Sequence, residues 1–135
     1  MKLIKTVAAV LLVNIFCSQA FPQGINVFVK VRGNTGLEDK LKNTISKEFK
    51  SYGDIMMTEE KDKCQLYLDF TLVEQKPIRF YALGVCIAYY MQNKLYSRPT
   101  SDVAQFGEER MKDVCHYLVS EINKAFLEPL RKPAR

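Results

Sequence analysis

The chain has 135 residues, 47% of them apolar and 26% charged, with 20 basic against 15 acidic side chains. That length permits one domain, and the apolar fraction excludes wholesale disorder. Six glycines and five prolines exclude a collagen-like or linker-like chain, and four cysteines are too few for a disulfide-dense miniprotein.

Met1 to Lys5 carries two lysines, and Thr6 to Phe16 is an apolar run interrupted only by Asn14. Ser18-Gln19-Ala20 then places small residues at the −3 and −1 positions of a cleavage after Ala20. A charged start, a short apolar core and a small-residue exit are the three parts of a secretory signal peptide. Residues 1–20 are therefore expected to be a signal peptide, and 21–135 a single domain with a short basic C-terminal tail. The apolar run is shorter than the ~20 residues of a membrane-spanning helix. Cys17 suggests a lipoprotein, but Phe16 stands where a lipid-attachment motif needs a small residue. The expected location is periplasmic or extracellular. Losing Lys2 and Lys5 leaves 18 basic against 15 acidic residues, and Arg131, Lys132 and Arg135 sit in the last five positions. The body is then near neutral, which argues against nucleic acid, since that needs a clustered basic stripe.

Ile25, Val27, Val29 and Val31 alternate with Asn26, Phe28, Lys30 and Arg32, the pattern of a half-buried strand. After the turn cluster Gly33-Asn34-Thr35-Gly36, Leu37, Leu41, Ile45 and Phe49 recur every fourth residue. That spacing predicts an amphipathic helix over 37–52, stopped by Gly53. Residues 55–58 read as a short strand and 59–63 as a charged connection. From 65 to 74, Leu66, Leu68, Phe70 and Leu72 face one way and Tyr67, Asp69, Thr71 and Val73 the other. Lys76-Pro77 marks a turn, and 79–92 is an aromatic, β-branched run that favours a strand. Residues 93–100 are polar. Ser101 or Asp102 can cap a second helix whose inward stripe is Val103, Phe106, Arg110, Val114, Leu118, Ile122 and Ala125, widened by Met111, Cys115 and Phe126 and ended by Pro129. The expected fold class is α+β: a two-layer sandwich in the order β-α-β-β-β-α, with four strands and two helices on one face.

The fourth strand has no polar side. Phe80, Ala82, Gly84, Cys86, Ala88 and Tyr90 alternate with Tyr81, Leu83, Val85, Ile87, Tyr89 and Met91. The smaller even residues would let a helix pack closely. That directs Tyr81, Leu83, Val85, Ile87, Tyr89 and Met91 away from the helices, as a candidate protein-contact face. The competing reading is a central strand covered on both sides by the chain itself.

Cys64, Cys86 and Cys115 would remain after cleavage. A helix returning along the fourth strand brings Cys86 near Cys115, the candidate disulfide in an oxidising compartment; the alternative is three buried free thiols. Three scattered cysteines and His116, without a Cys-x-x-Cys pair, do not compose a metal site. His116 is the only histidine and diverges from Cys115 by about 100° on a helix, so the two form no catalytic pair. No phosphate loop is present, and the adjacent pairs Glu59-Glu60 and Glu108-Glu109 point apart. No catalytic residue and no cofactor are expected.

The strand Ile25–Val31, the helix Leu37–Tyr52, the hairpin Leu66–Met91 and the helix Val103–Phe126, behind an export signal, together resemble small bacterial envelope domains. The likeness is to the lipopolysaccharide-assembly lipoprotein LptE and the amino-terminal domain of TolB. It is one of pattern over nearly the whole mature chain, with no signature residue. It implies an adaptor rather than an enzyme. The expectation is an exported, non-enzymatic binding or adaptor domain of the cell envelope, contacting protein (itself or another) through an apolar sheet face or edge. The alternatives are a secreted inhibitor or effector that docks on another protein, or a carrier of a small apolar ligand. Membrane contact is expected only if the N-terminal segment is retained or lipidated.

Overall fold

The computed structural model describes residues 24–91, 94–99 and 104–132. The export segment, with Cys17, lies outside the described residues, as do 133–135 of the basic tail. The architecture is mixed α+β, with both helices on one face of a single sheet.

β1 (Ile25–Arg32) buries Ile25, Val27 and Val29 and turns Lys30 outward, as its alternation requires. Thr35 and Gly36 lead into α1 (Glu38–Lys50). The Glu38 carboxylate accepts the backbone N–H of Thr35 and of Gly36 and the Thr35 hydroxyl. These bonds, that of the Thr35 amide foremost, hold Glu38 below the usual carboxylate range. Leu41, Ile45 and Phe49 form the fully buried stripe of α1. Gly53, at φ +76°, takes the left-handed conformation that turns the chain out of the helix toward β2 (Ile55–Met57).

β2 and β3 (Leu66–Gln75) both run parallel to β1, on opposite sides of it. β3 then turns through residues 76–79 into the antiparallel β4 (Phe80–Met91). The far edge of β4 is shared: β5 (Lys94–Pro99) pairs with one end and β6 (Ala104–Phe106) with the other. The sheet order is β2-β1-β3-β4-β5, with β6 also on β4.

Among the described residues the sheet thus has six strands, where four were expected. The polar stretch after β4 folds back as β5, and residues 104–106 are strand rather than helix. The cause is the twelve-residue β4, whose outer edge leaves backbone groups that need partners. Phe106 is consequently buried beside Tyr81, at 6.1 Å between ring centroids. The helix begins only after Gly107, with one 3-10 turn (Glu108–Arg110) and then α2 (Met111–Ile122). Its inward stripe is Met111, Cys115, Val119 and Ile122. Ile122 belongs to the stripe expected from the sequence, Met111 and Cys115 to the residues expected to widen it, and Val119 was not expected.

A π-helical turn (Asn123–Leu127) follows and buries both Asn123 and Leu127. The last helical turn, α3 (Glu128–Arg131), brings Arg131 back to the loop before β2. Its guanidinium donates two bonds to the Asp54 carboxylate and a third to the Asn123 side-chain oxygen at 2.6 Å. It also lies 5.7 Å from the Tyr52 ring centroid. Arg131 therefore belongs to the folded body, not to a solvated tail. Its hydrogen bond is the leading reason that Asp54 stays below the usual carboxylate range.

Candidate binding surface

The two sides of β4 are the reverse of the sequence expectation. Register decides which residues share a side: Leu68 pairs with Ile87, Phe70 with Val85 and Leu72 with Leu83. The odd residues of β4 therefore join the apolar side of β3 under the helices. Tyr81 and Val85 are 8% exposed, Ile87 is 2% and Leu83 is 1%. Tyr89 packs on the same core, with Phe126 at 5.4 Å between ring centroids. The Met91 side chain lies outside the described residues. Tyr81, Leu83, Val85 and Ile87 are thus core, and cannot form a contact surface in the folded chain. The physical reason is the register with β3, and the packing is consistent with it. The larger odd side chains fill the space between sheet and helices, whereas the small even ones would leave it empty.

The even residues line the side opposite α1 and α2, which no described α-helix covers. Ala82, Gly84, Cys86 and Ala88 make a low lane along β4, and a Cβ placed on Gly84 would meet nothing within 4 Å. Beside this lane, β3 presents Tyr67, Asp69, Thr71 and Val73. At the hairpin end, Val73 is 53% exposed, Ile78 63% and Phe80 44%. Val73 lies opposite Ala82, and Phe80 opposite Gln75, so Val73 and Phe80 are diagonal neighbours on one side. Leu95 on β5 and Met56 on β2 are also exposed. At the other end the face becomes polar. Phe28 and Tyr67 stack at 5.3 Å, with Lys61 5.1 Å from the Tyr67 centroid. Arg32 donates to Asp69 at 2.9 Å, and the Tyr67 hydroxyl donates to the same carboxylate at 3.4 Å. Burial, reinforced by Asp69, pushes the Tyr67 phenol above its ordinary value.

The cysteines do not pair. Cys86 is exposed on the uncovered side, whereas Cys115 is buried on α2 under the opposite side. The sheet itself separates them, so the expected Cys86–Cys115 disulfide is absent and all three described thiols are free. The expectation failed because it put Cys86 on the helix side. Burial pushes the Cys115 thiol up to about 12, with Glu48 adding to the shift, so the group stays protonated and inert. Cys64 is buried and donates to the Lys61 carbonyl at 3.0 Å. His116 is exposed and joins α2 to α1 through Glu48 Oε2, 2.9 Å from its Nδ1.

Among the described residues, no cluster of three or more His, Cys, Asp or Glu side chains is placed to hold a metal ion. Nor is any described helix long and apolar enough to cross a membrane. What the uncovered side offers is contact area of two kinds, apolar at the hairpin end and charged near Phe28 and Tyr67.

No family model matches the chain, and no curated protein sequence does. Solved structures with the same fold include TolB from Acinetobacter baumannii, at TM-score 0.59 and 6% identity. That match covers 79% of this chain but 29% of the TolB chain, so the domain spans less than a third of that protein. A DUF330 protein from Xanthomonas campestris matches at TM-score 0.50 and 12% identity, over 84% of this chain and 92% of that one. At these identities the likeness is one of fold.

Proposed function

We propose that this chain is an exported adaptor domain of the bacterial cell envelope, which binds another protein through the uncovered side of its sheet. The observation that carries this reading is the exposed apolar group Val73, Ile78 and Phe80 at the hairpin end, continuous with the low lane of β4. An exposed apolar group on a sheet side that the described α-helices leave open is surface suited to a partner. The export-type N-terminus and the fold shared with TolB support an envelope setting. The reading assigns the chain no reaction.

A photo-crosslinking residue placed at Val73 or Phe80 in the producing bacterium tests the surface, with Lys112 on the exposed side of α2 as the control. A discrete adduct from positions 73 and 80, absent at 112, is the expected result. No adduct at 73 and 80, or equal adducts at all three, overturns the reading. The envelope setting is tested separately, by the cell fraction that holds the protein and by the mass of its mature form.

A further inference from the structure

β2 is three residues long and pairs only with Ile25 to Val27, so the rest of that β1 edge has no strand beside it among the described residues. The ladder shows which groups point there. The Ile25 N–H donates to the Asp54 carbonyl, and the Val27 carbonyl accepts from Thr58, both on the β2 side. The Asn26 carbonyl accepts from Gln65, on the β3 side. Alternate residues of a strand aim their backbone groups at opposite edges. Val29 and Val31 therefore direct N–H and C=O toward the uncovered edge.

A groove of about 410 Å³ runs along that edge, lined by Phe28 to Val31, Asp39, Lys42, Lys61 and Tyr67. Its charged groups are three lysines, Lys30, Lys42 and Lys61, against Asp39. Lys42 also reaches Glu59 at 3.1 Å, and Lys61 covers the Tyr67 ring. An uncovered edge is a template for any extended chain, and lysines on it repel a second identical edge. The same lysines attract an acidic strand.

We propose that this edge binds an extended acidic segment of a partner protein, which adds a strand beside Val29 and Val31 and sets its carboxylates against Lys30, Lys42 and Lys61. The inference goes beyond the apolar contact side and does not depend on it. The edge and the hairpin end are separate surfaces, and either can fail alone.

The test uses the purified protein and a fluorescein-labelled hexapeptide of alternating glutamate and valine, read by anisotropy. Controls are the lysine–valine peptide and the acidic peptide N-methylated at alternate amides. The expected result is saturable binding of the acidic peptide that weakens with salt. It should fall about tenfold or more with Lys30→Glu/Lys61→Glu, and as much on N-methylation. Circular dichroism confirms that the variant remains folded. No binding overturns the proposal. Equal binding of the lysine peptide removes the charge argument, and equal binding of the N-methylated peptide removes the added strand; either outcome overturns it. A dimer in light scattering that Val31→Pro converts to a folded monomer overturns it too, by assigning the edge to a second copy.

Discussion

Ile87→Ala and Cys86→Ala change neighbouring residues on opposite sides of one strand, and the structure requires opposite outcomes. Ile87 is 2% exposed and sits opposite the fully buried Leu68. Alanine removes three carbons there, worth ~2.4 kcal/mol of transfer free energy at ~0.8 kcal/mol each. The residual cavity adds to this, giving a loss of ~3–4 kcal/mol, inside the range of roughly 2–5 for such truncations. At ~2.1 cal/mol/K per residue, a domain of this size loses about 4 °C of Tm per kcal/mol, so the midpoint falls by roughly 12–16 °C. Cys86 is exposed on the uncovered side, and its truncation should cost less than ~0.5 kcal/mol. Urea unfolding with unchanged slope, alongside thermal melts, reads both values. Equal losses, or a larger loss for Cys86→Ala, would refute the assignment of sides. Val85→Asp extends the test: with Val85 8% exposed, the charge should unfold the monomer rather than split a dimer.

Arg131→Ala should destabilise by about 1–3 kcal/mol. It removes a charge-assisted pair discounted for solvent exposure, and it leaves the buried Asn123 side-chain oxygen without its partner. A double-mutant cycle with Asp54→Asn isolates the pair, and zero coupling would show that Asp54 contributes nothing to it. The same pair sets a pH dependence. Asp54 is depressed in the folded state, so its contribution is complete above the unfolded carboxylate value of ~4 and is lost as pH falls through the lower folded value. The stability gap between wild type and Arg131→Ala should therefore narrow in acid, as acid-titrated urea melts would read. A thiol reagent at neutral pH should modify the exposed Cys86 in the folded protein and leave the buried Cys115 untouched until the protein unfolds. Early labelling of Cys115 would contradict its burial.

The elements legible in the sequence were those whose periodicity one side of the core imposes. β1, α1 and β3 each carry a single apolar stripe, and each lies where that stripe directs it. The segment from 93 to 110 was not legible. β5 is largely polar and β6 only three residues long, and they exist because β4 is long enough to need partners along its outer edge. No local propensity reports that requirement. The π-helical turn was equally hidden, since it depends on Leu127 and Asn123 both reaching the interior.

The side of β4 was legible, and the signal that carried it was the turn. Gln75 and Phe80 pair across residues 76–79, and an antiparallel ladder then places Leu72 opposite Leu83 and Phe70 opposite Val85. Because cross-strand partners share a side, the clear polarity of β3 dictates the sides of β4, however apolar both of them look. Residue size alone pointed the wrong way, because small residues suit close helix packing and exposed lanes equally well. The uncovered side follows from the same register. Asp69 and Thr71 commit their side of β3 to solvent or to a partner, and Cys86 and Gly84 must go with them. On that side Val73 and Phe80 lie beyond the polar pair, at the hairpin end. Among the described residues neither α1 nor α2 reaches that side, so Val73 and Phe80 take no part in the core that the helices close, and partner recognition is the role we propose for them.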